Sequence, residues 1–162
     1  MYNCAMRFLT FAGVLWTGLA QAQGLASRKI MTVELSKTIA EAALSECRAK
    51  GAHTAVAVVD QAGQLMVVLR DEWATINQVE MARRKALTAV AFKMSTLEFM
   101  KNTQSPDNAA RRDVTDMLAL GGGIPIQVGS EIVGGVASSG AGMEQDDACA
   151  RAGLAKVASQ LK

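Results

Sequence analysis

Histidine is the side chain most often used for proton transfer and metal ligation near neutral pH, and this chain contains one, His53. It follows Gly51-Ala52 and precedes an apolar run. A single histidine without cysteine or carboxylate partners at ligand spacing gives little support to a zinc site or to Ser/His or Cys/His catalysis. No metal site is therefore predicted, and a surface histidine is the simpler interpretation.

A compact cationic patch, Arg83-Arg84-Lys85, lies in a segment with strong helix propensity. The stem of Arg83 could simply cover apolar surface with its charged head at the rim. Alternatively, the patch is a clamp for the carboxylates of a ligand, a task that the arginine fork suits. Acidic partners for this clamp are available in Glu144, Asp146 and Asp147, although an aspartate at a helix start usually caps the helix.

Three consecutive glycines, Gly121-Gly122-Gly123, resemble a phosphate-binding loop at first sight. The Walker pattern needs a following Gly-Lys-Ser/Thr, and a dinucleotide site needs Gly-x-Gly-x-x-Gly leading into a helix. Neither pattern is present. The glycines therefore indicate a bulge, or a place where another backbone or a flat ligand comes close.

The elements that must position these residues follow from caps, apolar periodicity and turn residues. Helices are predicted from Thr32 to Gly51, from Ile76 to Met94, from a Ser95–Glu98 capping box to about Asn102, and from Gln145 to Leu161. Ser105 to Asp113 is predicted to be an exposed connection. Strands are predicted at 54–60, 65–69, 117–120, 124–128 and 132–138. This order predicts an α+β fold, with a five-stranded, mainly antiparallel sheet flanked by helices.

The helix from Ile76 to Met94 has two apolar faces. One face is bulky and the other is made of alanines. Two faces imply two contacts, of which one would cover the sheet and the other would accept a second subunit through the alanines. A homo-oligomer is therefore predicted. The bulky face contains Val79, Leu87, Val90 and Met94, and the small face contains Ala82, Ala86 and Ala89.

The first 22 residues have the pattern of an export signal: a basic residue, an apolar run from Phe8 to Ala20, and a small-x-small site ending at Ala22. The apolar run is shorter than the roughly 20 residues that a membrane-spanning helix needs. Cleavage after Ala22 is expected, leaving one domain over residues 23–162 in the periplasm or outside the cell.

Composition narrows the remaining choices. A formal net charge of +2 makes nucleic acid an unexpected partner. After cleavage two cysteines remain, Cys47 and Cys149, in a compartment that permits disulfides. Pairing and two separately buried thiols are both open, and their spacing matches no metal-ligand pattern.

Several motifs occur in an order that resembles the GlcG/HbpS-like haem-binding family and also the PduO C-terminal domain. They are Val56-Ala-Val-Val-Asp60, Ala82-Arg-Arg-Lys-Ala86, Gly121-Gly-Gly-Ile-Pro125, Ile132-Val-Gly-Gly-Val136, Ser139-Gly140, and Gln145-Asp-Asp147 through Ala150-Arg-Ala-Gly153. The likeness covers roughly Thr32 to Leu161. It implies a profilin-like, three-layer arrangement and assembly into oligomers with ligand sites near subunit contacts.

The resemblance also implies haem as the ligand. Thr96 occupies the position of a haem-contacting threonine in related sequences, and His53 is the alternative neighbour of the iron because haem accepts a single protein His. Arg84 or Lys85 would face the propionates. The positions that fall on the recurrent motif of the family are Lys85, Gly122, Gly123, Pro125, Gly140 and Asp146.

Two other functions remain open. The first is a small-molecule enzyme on the same scaffold, in which Arg84 and Lys85 hold a carboxylate-bearing metabolite and Asp146 or Glu144 is the general acid/base. The second is an accessory binding module for an envelope receptor or a redox partner, since export is predicted and no convincing catalytic cluster is visible.

Overall fold

The computed structural model describes Gly24 and residues 27–162. The predicted export signal, residues 1–22, lies outside the described residues, so its cleavage stays a prediction. Within the described part of the chain, no helix combines the length and the apolar character that crossing a membrane requires.

Two of the helices begin where local side-chain caps satisfy free backbone amides. The hydroxyl of Thr32 accepts a hydrogen bond from the Leu35 amide at 3.2 Å, and Ser95 and Glu98 form the predicted capping box. The helices are α1 (Val33–Ala49), α2 (Ile76–Phe92), α3 (Thr96–Asn102), α4 (Pro106–Ala109) and α5 (Met143–Lys156), with 3-10 turns at Ala110–Asp113 and Ala158–Gln160.

The sheet contains β1 (Ala55–Asp60), β2 (Leu65–Arg70), β3 (Gly123–Val128) and β4 (Glu131–Ser139), in the order β2-β1-β4-β3. Every neighbouring pair is antiparallel. The two hairpins, β1–β2 and β3–β4, meet along β1 and β4. This arrangement confirms the predicted α+β fold and its antiparallel sheet.

The predicted fifth strand, residues 117–120, is wrong: the described residues form a four-stranded sheet. The backbone of this segment bonds to side chains of α2 instead of to a strand. The Leu118 amide donates to the Thr88 hydroxyl at 2.9 Å, and the Met117 carbonyl accepts from Arg84 at 2.7 Å. A short apolar run does not reveal whether its backbone partners belong to a strand or to a helix.

The sheet lies between two helical layers, because alternate side chains of a strand point to opposite faces. Val56 and Val58 pack in the larger core with residues of α1 and α5, whereas Ala55, Ala57 and Val59 pack toward α2. All five side chains are fully buried. The helices therefore cover both faces of the sheet.

The alanine face of α2 is used inside the chain. Ala82, Ala86 and Ala89 are fully buried, and Ala86 lies so close to Gly135 of β4 that a Cβ on this glycine would be 2.6 Å from the Ala86 carbonyl oxygen. The expectation that these alanines accept a second subunit is therefore wrong, because they allow close contact between α2 and its own sheet. Homo-oligomerisation itself stays a prediction.

Cys47 of α1 and Cys149 of α5 form a disulfide, with their Cα atoms 5.5 Å apart. Of the two possibilities left open by the sequence, pairing is therefore the one observed. The bond links positions 102 residues apart, for which the chain-entropy model gives a stabilisation of about 4–5 kcal/mol. It ties together the two helices that cover one face of the sheet.

Candidate ligand cavity and the His53 network

A cavity of about 510 Å³ lies between the first half of α2, Leu120, and the segment that connects β4 to α5. Its apolar lining includes Met81, Leu120 and Met143. Its polar lining includes Gln78, Lys85, Ser139, Glu144 and Asp146. Gly140, Ala141 and Gly142 form a stretch of wall with minimal side chains. The size and the mixed lining are those of a small-molecule pocket.

Among the residues that the structure describes, Lys85 is the only cation that lines this cavity, and its side chain is 1% exposed. Its Nζ donates to the carboxylate of Asp146 at 3.0 Å and to the Ser138 carbonyl at 3.1 Å. Burial lowers the pKa of Lys85, while the charge of Asp146 acts in the opposite direction. An ammonium group has three donors, so these two partners leave one N–H of Lys85 without an assigned acceptor.

Asp146 lies in the first turn of α5 but does not cap that helix with its side chain. One carboxylate oxygen binds Lys85, and the other accepts from the Ser138 hydroxyl at 3.3 Å and from the Ala141 amide at 3.1 Å. The side chain is 3% exposed. Asp146 therefore joins α2, β4 and the entry to α5 in one buried cluster.

The glycines of the 121–123 segment permit this close packing. Gly122 has a φ of +123°, and a Cβ there would lie 2.6 Å from the Ser138 carbonyl oxygen and 3.1 Å from Lys85 Nζ. The Gly123 amide donates to the Thr96 hydroxyl at 2.8 Å. The predicted close approach at these glycines is thus observed, and the approaching groups belong to the protein itself.

Ser139 was not singled out from the sequence as a functional residue. Its side chain lies in the cavity wall, the residue is 1% exposed, and its hydroxyl has no hydrogen-bond partner. A buried hydroxyl without a partner costs free energy, so the Ser139 hydroxyl is a candidate hydrogen-bond donor for a ligand in this cavity. Ser139 is part of the Ser139-Gly140 motif, but the sequence does not show that its hydroxyl lacks a partner while the hydroxyl of Ser138 is bonded.

His53 lies in a second network outside the cavity lining. Its Nδ1 is 2.8 Å from the carboxylate of Asp71, which also bonds to Arg48 at 2.6 Å and to the Trp73 amide at 3.0 Å. These hydrogen bonds, with that from Arg48 the strongest, lower the pKa of Asp71 to about 2. The His53 ring is 54% exposed and lies edge-on to Trp73, with centroids 6.5 Å apart.

The network and the cavity meet at Gly140. This glycine lines the cavity, and a Cβ on it would be 2.5 Å from the His53 carbonyl oxygen. Its φ of +139° is a conformation that side chains rarely adopt. Gly140 therefore lets the end of β4 pass directly beside the residue that carries the imidazole.

The structure brings only some of the predicted site residues together. Lys85, Gly140 and Asp146 line one cavity, and Gly122 packs against its Lys85 end. Thr96 is fully buried behind Gly123, and its hydroxyl is already bonded. Arg84 is directed to the carbonyl oxygens of Asp116 and Met117, and Pro125 is half-buried in β3. Arg84, Pro125 and Thr96 do not line the cavity.

An antiparallel sheet between two helical layers, with a mixed polar and apolar cavity beside it, defines a small α+β domain with a candidate ligand cavity. The model of the family described as "Haem degrading protein HbpS-like" matches residues 31–155. The chain belongs to this HbpS-like family, which confirms the resemblance recognised from its motifs.

Solved structures agree with this assignment. The chain is 34% identical to HbpS, with a TM-score of 0.78 over 84% of this chain and 96% of that one. A double mutant of HbpS from Streptomyces reticuli is 30% identical, with a TM-score of 0.78 and coverage of 94% and 97%. The PduOC complex with haem is 25% identical, with a TM-score of 0.72 and coverage of 79% and 95%.

Proposed function

We propose that this protein binds haem outside the cytoplasm, with His53 as the iron ligand. The observation that carries the proposal is the His53–Asp71 pair. Asp71 holds Nδ1 of a half-exposed imidazole and leaves Nε2 without a hydrogen bond from any described residue. Metal-ligating histidines usually have this arrangement, in which a carboxylate on one ring nitrogen orients the ring and increases the basicity of the other.

The surroundings of His53 suit a flat apolar ligand. Trp73 and Ile76 are each 75% exposed. Haem affinity comes largely from burial of its macrocycle, and Trp73, which lies edge-on to the imidazole, supplies apolar surface beside it. Bound iron would supply the redox and ligand-binding chemistry of haem, while the chain supplies the ligand and its environment.

Thr96 is a less suitable iron ligand than His53, because Thr96 is fully buried and its hydroxyl already accepts the Gly123 amide. The two candidate propionate partners also differ. Lys85 is neutralised by Asp146, whereas Arg84 bonds only to carbonyl oxygens within the described part of the chain. Arg84 therefore keeps a charge with which to attract a propionate.

Two further findings support the proposal. The family description concerns haem, and the related PduOC was crystallised with haem. The disulfide between Cys47 and Cys149 favours an oxidising compartment, in agreement with the export pattern of residues 1–22. Sensing, storage or degradation of haem, and an envelope receptor or redox partner, are further steps that this proposal does not require.

The test is titration of the apoprotein with hemin, followed by the Soret band. The wild type should saturate at one haem per chain. His53→Gly should weaken binding and shift the band, and added imidazole should restore both, because it replaces the missing ligand. Asp71→Asn should weaken binding by about 10–100-fold, the usual effect of removing the partner of a ligating histidine.

Lys37→Ala, at an exposed position on α1, is the matched control and should bind hemin like the wild type. Saturable binding that is unchanged in His53→Gly would eliminate His53 as the ligand. Absence of a Soret shift in the wild type at micromolar hemin would refute haem binding altogether.

A further inference from the structure

The cavity beside α2 has a polar end that the proposed haem site does not use. There, Lys85, Asp146 and Ser139 lie in the wall of a space of about 510 Å³. We propose that Lys85 is a carbonyl-reactive lysine, which forms an imine with a small neutral aldehyde or ketone that enters this cavity.

The charges around the cavity favour a neutral ligand. Within the described part of the chain, the one cation that lines it, Lys85, is paired with Asp146, and Glu144 adds a second carboxylate at the exposed edge. A carboxylate ligand would meet two negative charges and one positive charge. A carbonyl group brings no charge and needs only hydrogen-bond donors for its oxygen.

Two donors are available for that oxygen. Lys85 has one N–H beyond its bonds to Ser138 and Asp146, and the Ser139 hydroxyl has no partner at all. The mouth is lined by Met81, Met143 and the small residues of the 140–142 segment, so a short alkyl chain has both apolar contact and room. A small carbonyl compound matches these features.

The Lys85–Asp146 pair provides the chemistry. Proton transfer from Nζ to the carboxylate, across 3.0 Å, leaves a neutral amine whose lone pair attacks the carbonyl carbon. The new C–N bond forms as the C=O π pair moves to oxygen, which takes the proton back from Asp146. The carbinolamine nitrogen is now cationic, and it passes one proton through Asp146 to the hydroxyl group. The hydroxyl leaves as water, and the nitrogen lone pair freed by that transfer forms the C=N bond.

The step balances without an oxidant or a reductant. The ammonium form of Lys85 and one carbonyl compound give one protonated imine and one water, and Asp146 ends as the carboxylate that it was. Burial lowers the pKa of Lys85, which increases the fraction of reactive amine. Buried lysines commonly serve in Schiff-base chemistry for this reason.

Reductive trapping tests the proposal. The disulfide-intact apoprotein is treated with limiting acetaldehyde and cyanoborohydride at pH 7, and the ethylated lysines are then located by mass spectrometry after proteolysis. Lys85 should be modified several-fold faster than Lys93, an exposed lysine directly after α2, because the cavity holds the aldehyde beside the amine of Lys85. Modification of Lys85 at or below the rate of Lys93 would overturn the proposal.

Two variants and one control test whether the reactivity of Lys85 depends on the cavity. Met81→Phe narrows the cavity and should slow modification of Lys85, whereas Met94→Phe, beyond the other end of α2, should not. Ser139→Ala removes the free hydroxyl and should slow it several-fold without unfolding the protein. Equal Lys85 rates in the wild type, Met81→Phe and Ser139→Ala would contradict the assignment. Loss of hemin binding in any of these variants would count against the haem proposal and would not test imine formation at Lys85.

Discussion

Two cation–carboxylate networks in this molecule use similar groups in different surroundings. In both, the carboxylate is almost inaccessible: the side chains of Asp146 and Asp71 are 3% and 2% exposed. Their cations differ. Lys85 is 1% exposed, whereas Arg48 is 48% exposed. The first network is therefore closed within the fold, and the second opens to solvent through its cation and through His53.

This difference in exposure decides what each network can do. The two charges of a buried ion pair have lost their hydration and are stabilised by each other instead. Removing one of them therefore leaves the other charge buried without a partner. In the open network, water can replace a lost partner, and one imidazole nitrogen remains available to a ligand. We therefore expect the Lys85–Asp146 pair to dominate stability and the Asp71 network to dominate haem binding.

The largest predicted effect follows from breaking the closed pair. Lys85→Ala should reduce the free energy of unfolding by about 3–5 kcal/mol, because Asp146 stays buried without its cation. Urea denaturation of the disulfide-intact protein would measure it. Arg48→Ala, which removes the exposed cation from Asp71, should cause a clearly smaller loss.

A double variant serves as the internal control. Lys85→Met with Asp146→Asn removes both charges, so it should recover part of the stability lost in Lys85→Ala. Equal losses in Lys85→Ala and Arg48→Ala would show that burial of the cation does not distinguish the two networks.

A smaller effect should follow from adding one methyl group beside the closed pair. Gly122→Ala places a Cβ 2.6 Å from the Ser138 carbonyl oxygen, at a φ of +123°. The backbone conformation alone costs about 1–3 kcal/mol, and the contacts add to it. Gly129→Ala is the matched control, because Gly129 has a φ of +62° and open space around its Cβ position.

Thermal and urea unfolding of the two alanine variants would give the comparison. The Gly129 variant should lose only about 1–2 kcal/mol, the usual cost of a left-handed alanine. If Gly122→Ala is no less stable than Gly129→Ala, the cluster around Lys85 is looser than its geometry indicates.

Local signals were sufficient for much of the fold. The Thr32 cap and the Ser95–Glu98 capping box depend on residues within one turn, and the β1–β2 hairpin depends on a short turn after Asp60, so sequence patterns predict them. The strand predicted at residues 117–120 is wrong because strand pairing depends on residues that are far apart in the sequence. The backbone partners of this segment, Arg84 and Thr88, are about 30 positions away and belong to a helix.

The candidate site was predictable only in part. Lys85, Gly122, Gly140 and Asp146 were expected from a family motif, but the contact between Lys85 and Asp146 spans 61 positions, and spacing could not reveal it. Ser139 and Asp71 were missed, since nothing local marks a serine whose hydroxyl has no partner or an aspartate that will bind a distant arginine. Those properties arise only when β4, α2 and α1 come together.

The smallest expected effect concerns the open network and its dependence on pH. Asp71 has a pKa lowered to about 2 in the folded protein, from 3.8, so the folded state favours its charged form. Its stabilising contribution is complete above about pH 4 and is lost as the pH falls through 2. The midpoint of urea unfolding should therefore fall between pH 4 and pH 2 more steeply in the wild type than in Asp71→Asn. Identical slopes for the two proteins would mean that water replaces Arg48 and His53 around this carboxylate at no cost in stability. Of the two networks, only the Lys85–Asp146 pair would then contribute to the stability of the fold.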